Sequence, residues 1–361
     1  MLKINLMFLL IFLPFFAFAQ NNEPALKLDL PIFDLPYQID AMNTVGHGFL
    51  SSYANPSMEQ SLSITVDIYS SFHFGMKKFY DISATNNIWK NIIYYGGIAL
   101  GDGLLMLFPF GGYAWMHEEF HRAVMSRYGV NSFNAAYTLE GIVNHITDED
   151  LERFKAESPT DFIRMQATGI EAGHLFTDRL QRNNFFYNQN YFSELTYWIS
   201  AVYIHDYIAG KNRMEGRNPN IEERDFTGRD PIAWVYDLFR PNEAYSERGV
   251  HPTGIGINRY RNLDDLKDQE KNYLENVGYW QFINYVSPMM FMFRSLPLPN
   301  SDIRWNFAFR HILTSFGTDL SFNFFLKIDK FNFVVINHSY QNYEHYFTAL
   351  EVEMIDFPNT Y

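Results

Sequence analysis

The sequence predicts an α+β fold, a predominantly helical core followed by a C-terminal antiparallel β-meander. Two observations carry this. Up to about residue 300, apolar stretches are framed by helix start and stop signals, whereas residues 301–361 alternate apolar and polar side chains at period two.

The elements follow in chain order. Residues 1–19 have an early cation, Lys3, an apolar run from Leu6 to Phe16 and the small-x-small triplet Ala17-Phe18-Ala19. The run is short of the roughly 20 residues that span a bilayer, so a signal peptide cleaved after Ala19 is expected. Residues 20–60, rich in Pro, Asn and Ser, read as an extended lead-in, and residues 61–300 as a helical domain. At its start Leu62, Ile64, Val66 and Ile68 alternate with Ser61, Ser63, Thr65 and Asp67, which predicts a strand buried on one face.

From Ile92 to Met116 the sole charged residue is Asp102, and six glycines and Pro109 interrupt the run. A buried helix, a break near Pro109 and a second helix closed by Gly129 at C′ are expected. Ser158-Pro159 supplies an N-cap and first-turn pair for a helix to about Arg182. Further helices are expected over 192–208 and, kinked at Ser287-Pro288, over 279–293. Residues 210–230 are charged and punctuated by Gly and Pro, a solvated connection or lid, and 248–258 form a second loop. In the meander, Asp329-Lys330 marks a turn, and Leu350, Val352 and Met354 oppose Glu351 and Glu353. Its aromatic alternation resembles an outer-membrane barrel wall, but three or four strands cannot close a barrel.

The chain has 361 residues, a net charge of −13 and no cysteine. That charge argues against binding nucleic acid, whose phosphates require clustered Lys and Arg. Without disulfides the exported protein must rely on its core. The 35 Phe and 24 Tyr exceed what an average soluble domain needs, so membrane association is expected alongside an aromatic core. Segments 92–116, 192–208 and 279–293 suit either a core or a membrane. The expected location is the periplasm, outer membrane or cell envelope of a Gram-negative-type bacterium.

Residues 111–129, GGYAWMHEEFHRAVMSRYG, contain His117, Glu118 and His121 in the pattern H-E-x-x-H. On a helix the two histidines lie one turn apart on one face and can share one metal ion. Glu118 is turned about 100° from His117, within reach of a metal-activated water but not itself a ligand. Zn²⁺ is the expected cofactor and Glu118 the general base, with the resulting hydroxide attacking a carbonyl that the metal polarises. The apolar flanks bury the helix, where histidines and carboxylates must find partners. HEEFH on such a helix resembles the active-site helix of the zincin metallopeptidases, which implies an exported, zinc-dependent hydrolase of peptide bonds acting on a peptide or protein substrate.

A zincin takes a third protein ligand. Arg127 stands six residues past His121, which excludes the metzincin pattern. The gluzincin-like alternative draws a Glu from a downstream helix, and Glu171, His174 and Asp178 lie on one predicted helix face. Glu171 is the expected ligand, with His174 the second choice and Asp178 an orienting residue. Leu175 stands where gluzincins place an acid four residues after the ligand. HEEFH, followed by Gly129-Val130, also resembles intramembrane metalloproteases of the site-two type. Their later aspartate ligand comes from an Asn-Pro-Asp-Gly-like motif that this chain lacks, and Asp206 and Asp230 are poor substitutes. His205 reads as a structural histidine. A membrane di-iron reading needs adjacent histidine pairs, and none occurs. The alternative from another class is a non-catalytic outer-membrane or envelope protein with a structural or degenerate metal site.

Overall fold

The computed structural model describes residues 26–29, 56–80, 88–138, 143–187, 189, 192–209 and 229–356. Residues 1–19, where a signal peptide is expected, and most of the 210–230 connection lie outside the described residues. The helices are α1 (Met58–Tyr80), α2 (Ile88–Met106) and α3 (Tyr113–Arg127), then α4 (Asp148–Glu157), α5 (Pro159–Tyr187), α6 (Glu194–Ala209), α7 (Asp230–Leu238) and α8 (Asp268–Trp280). A two-residue ladder, β1 (Phe133–Asn134) with β2 (Val143–Asn144), separates α3 from α4. The chain ends in β3 (Leu296–Pro297), β4 (Arg304–Leu313), β5 (Thr318–Ile328), β6 (Phe331–Gln341) and β7 (Tyr346–Asp356), one antiparallel sheet in sequential order. The expected α+β architecture is the observed one.

Two local expectations are corrected. Residues 61–68 are helical, part of α1, because Leu62, Val66 and Tyr69 recur at helical spacing and enter the core together. Their alternating partners are buried as well: the Asp67 carboxylate accepts the Asp29 backbone N–H at 2.9 and 3.1 Å. The helix expected over 279–293 instead covers 268–280, where Glu270 accepts the Lys267 N–H at 2.8 Å. Two 3₁₀ turns follow. Ser287 Oγ accepts the Met289 N–H, so Ser287-Pro288 starts a turn rather than kinking a helix.

The break near Pro109, the stop of α3 and the start of α5 are those the sequence signals, but Pro109 lies in the turn before α3, which begins only at Tyr113. Gly112 is the N-cap of α3, and Gly129, at φ +71°, ends it in the left-handed conformation that glycine adopts without strain. Pro159 opens α5 behind Ser158, whose carbonyl accepts the Phe162 N–H at 2.9 Å.

Helix α2 is only partly buried. Tyr94, Ile98 and Asp102 face inward, whereas Trp89, Ile92, Leu100 and Leu104 are exposed. Inside, Asp102 Oδ1 pairs with His73 Nε2 of α1 at 2.7 Å, and Thr196 Oγ1 of α6 donates to Asp102 Oδ2 at 2.6 Å. One carboxylate thus joins three helices.

Both faces of the sheet carry apolar side chains, the inward one with polar groups set among them. Toward α5 it presents Asn306, Ala308, Arg310, Asn323, Phe325 and Val334, all buried. Arg310 donates to Asp178 and Gln181 at 2.7 Å, and Arg182 forks onto Glu353. The opposite face carries cross-strand rows such as Trp305, Leu326, Phe333 and Met354, or Phe307, Phe324, Val335 and Val352. On the edge strand β7, Leu350 and Val352 are exposed.

Removing the Asp102 carboxylate strands two donors in a dry helix interface. Asp102→Ala is expected to cost about 3–5 kcal/mol in unfolding free energy, measured by chemical denaturation. A loss within the scatter of surface substitutions would show that the pair does not hold these helices.

Candidate metal centre

Helices α3 and α5 run antiparallel in close contact, and three positions a turn apart on each meet in order. Tyr113 lies over Gly173, His117 over Gly169, and His121 beside the Met165 carbonyl. The glycines are required: a Cβ on Gly169 would sit 2.3 Å from His117 Nε2, and one on Gly173 2.1 Å from the Tyr113 hydroxyl. His121 Nδ1 is 2.6 Å from the Met165 carbonyl oxygen, an acceptor. That nitrogen therefore carries the hydrogen, which leaves Nε2 with its lone pair directed into the site.

Asp230, at the N-terminus of α7, completes the group. Its Oδ2 is 3.0 Å from His117 Nε2 and 3.3 Å from His121 Nε2, and the two nitrogens are 3.3 Å apart. Three donor atoms at the corners of one small triangle match one face of a metal tetrahedron. With bonds of about 2.0–2.1 Å, the edge of a zinc tetrahedron is about 3.3–3.4 Å. Among the described residues this is the one group of His and carboxylate side chains with metal-binding proximity. The donor set, two imidazoles and one carboxylate, suits zinc.

The sequence-based choice of third ligand is therefore corrected. Glu171 is two residues past Gly169, about 200° round the helix. It points away from α3 and accepts Arg164 Nη2 at 2.7 Å and Nε at 3.1 Å. His174 is buried elsewhere on α5; burial first, then the Arg310 and His311 charges, pushes its imidazole down to about 3. Asp178 orients no site histidine: it pairs with Arg182 and Arg310 and fastens the sheet to α5. His205 lies outside the group, its ring packed edge-on to Phe282 at 4.3 Å and its Nδ1 3.4 Å from the Tyr285 hydroxyl. Asp230 was set aside because it lies outside any Asn-Pro-Asp-Gly pattern. The available signal was Asp230-Pro231 ahead of an apolar helix, a first-turn acid at a positive helix end.

The electrostatics follow from packing two imidazoles and two carboxylates in one buried group. Burial pushes the Asp230 carboxyl up, but the two imidazoles outweigh it and hold the group well below the usual carboxylate range. Burial opposes charge on His121, yet Asp230 and Glu118 lift it to about 9. Glu118 is buried, and desolvation raises its carboxyl despite the adjacent histidines. Glu119, by contrast, is committed to structure, bound by Arg122 and by the Asn134 amide. The Tyr207 ring stands edge-on to His117 at 5.9 Å; burial, with the nearby Asp230 charge, raises its hydroxyl well above the ordinary value. It remains a neutral donor at the rim of the group.

No protein-family model matches the chain, and neither a curated protein nor a solved structure matches it significantly.

Two outcomes are expected from this geometry. Asp230→Ala and Gly169→Ala should each lower zinc affinity, the glycine change by about 10- to 100-fold because it moves His117, whereas Glu171→Ala should leave affinity unchanged. Competition against a chromophoric chelator reads all three, and loss of zinc in Glu171→Ala alone would restore Glu171 as the ligand. The second outcome concerns pH. A protonated His121 must lose its proton to bind a metal, so apparent affinity should weaken about tenfold per pH unit below about 9. A flat profile between pH 9 and 7 would contradict the assignment.

Proposed function

We propose that the protein is a zinc-dependent peptidase in which His117, His121 and Asp230 hold the metal and Glu118 is the general base. The observation that carries this reading is the triangle of donor atoms at 3.0–3.3 Å, with Glu118 beside it on the same helix. A bound zinc ion would supply a Lewis acid for the scissile carbonyl and lower the pKa of a water molecule towards about 7.

The chain's own groups do the rest. Glu118, in a dry site that raises its proton affinity, takes the proton of the attacking water and returns it to the departing amine. Met165 and Gly169 fix the orientation of the two imidazoles, and the neutral Tyr207 hydroxyl is a hydrogen-bond donor for developing negative charge. The resemblance to zincins supports peptide hydrolysis, and the aspartate ligand brings the set nearer to the site-two type than to gluzincins.

We further propose that the protein is exported and works against a membrane of the cell envelope. No described helix is long and apolar enough to cross a bilayer. The support is the exposed apolar side of α2 and the exposed Leu350 and Val352 of β7, continuous with the half-buried outward aromatic rows of the sheet.

Glu118→Gln should retain zinc and lose at least about 100-fold in cleavage of a casein or peptide-library substrate; His121→Ala should lose both. Zinc-loaded protein with no hydrolysis on any peptide library, or full activity in Glu118→Gln, would favour the non-catalytic envelope reading. On cell fractionation the protein should stay with membranes in high salt and be released by detergent. Recovery in a salt wash would remove the apolar attachment.

A further inference from the structure

A second site lies where α8 crosses the far end of the sheet. A cavity of about 400 Å³ opens there, within the range of small-ligand sites. Four aromatic rings line it. Two are fixed: Tyr343 stacks on Phe239 at 4.0 Å, and the Tyr273 hydroxyl donates to the Gln341 carbonyl at 3.3 Å. The other two, Trp280 and Tyr346, stand at the rim with 52% and 65% of their surface exposed.

Between the rings lie uncharged hydrogen-bonding groups, among them Asn276, Thr318, Ser339 and Asn342. No Asp, Glu, Lys or Arg is among the lining residues. The one titratable lining imidazole, His311, is held neutral: burial pushes it down to about 4, and its Nδ1 is 2.8 Å from the Gln281 amide. A charged ligand would therefore leave its charge uncompensated in a half-enclosed space. Strands β5 and β6, which floor the cavity, are paired along both edges and offer no free backbone to an extended peptide.

What this lining complements is a neutral molecule with flat C–H faces and many hydroxyls. We propose that the cavity binds a neutral saccharide, its ring faces resting on Trp280 and Tyr346 and its hydroxyls bonded to the amides and hydroxyls between them. The proposal does not depend on the metal centre, which is built from α3, α5 and α7.

The test uses the full mature chain and two probes, maltotriose and triacetylchitotriose, followed by saturation-transfer NMR and calorimetry. At least one probe should bind saturably, and Trp280→Ala and Tyr346→Ala should each weaken it about tenfold or more. Both side chains are half or more exposed, so an unchanged thermal midpoint should accompany the loss and exclude misfolding. Absence of saturable binding by both sugars at millimolar concentration would overturn the proposal. So would equal affinity in both variants, or tighter binding of an anionic trisaccharide such as trigalacturonic acid.

Discussion

The close approach of α3 to α5 is the constraint on which the rest of the site depends. Two helices can come this near only where one of them lacks side chains, and Gly169 and Gly173 provide that gap one turn apart. The space they leave is filled by His117 and by the Tyr113 hydroxyl, so the imidazole packs against bare backbone. Packing thereby removes the rotational freedom that a histidine on an open helix face would keep. The Met165 carbonyl does the same for His121 by a hydrogen bond. Helix α5 thus fixes both imidazoles of the proposed metal site, and α7 adds the Asp230 carboxylate beside them.

Around that contact, ionisable groups in the interior are consistently compensated. Asp102 meets His73 and Thr196, Glu119 meets Arg122 and Asn134, and Asp237 meets Lys155 and Arg248. Each arrangement balances the cost of removing a charge from water. The His117, His121 and Asp230 group differs in kind. Its donor atoms converge on one point, and among the described residues no Lys or Arg is seen bonded to them. A metal ion satisfies that geometry, which is the physical basis for reading the group as a ligand set.

The sheet shows how a fold without cysteine is fastened together. Its inner face carries Arg310 and Asn323 among the apolar side chains, and ion pairs from Asp178, Arg182 and Glu353 tie it to α5. The aromatic rows face away from the helices, where a water-exposed sheet would ordinarily be polar. The outward side of α2 is likewise apolar, with Trp89, Ile92, Leu100 and Leu104 exposed.

How much of this was legible depended on whether the information was local. The α+β class, the Gly129 stop of α3, the Ser158-Pro159 start of α5, the Asp329-Lys330 turn and the pairing of His117 with His121 are set by neighbours within a few residues, and they could be read directly. Misreadings arose where tertiary burial overrode a short pattern, as in residues 61–68, whose polar alternates are buried by contacts such as that of Asp67 with Asp29. The third ligand was beyond sequence reasoning for a related reason. Glu171 shares a helix face with His174 and Asp178, but which face of α5 meets α3 is decided by where a side chain is absent, at Gly169. Asp230 reaches the histidines from 109 residues beyond His121 because α7 packs on α5. The sequence alone determined that two histidines and a glutamate stand on one helix; the packing of three helices determined which acid completes them, since only the folded chain brings its carboxylate within bonding distance of both imidazoles.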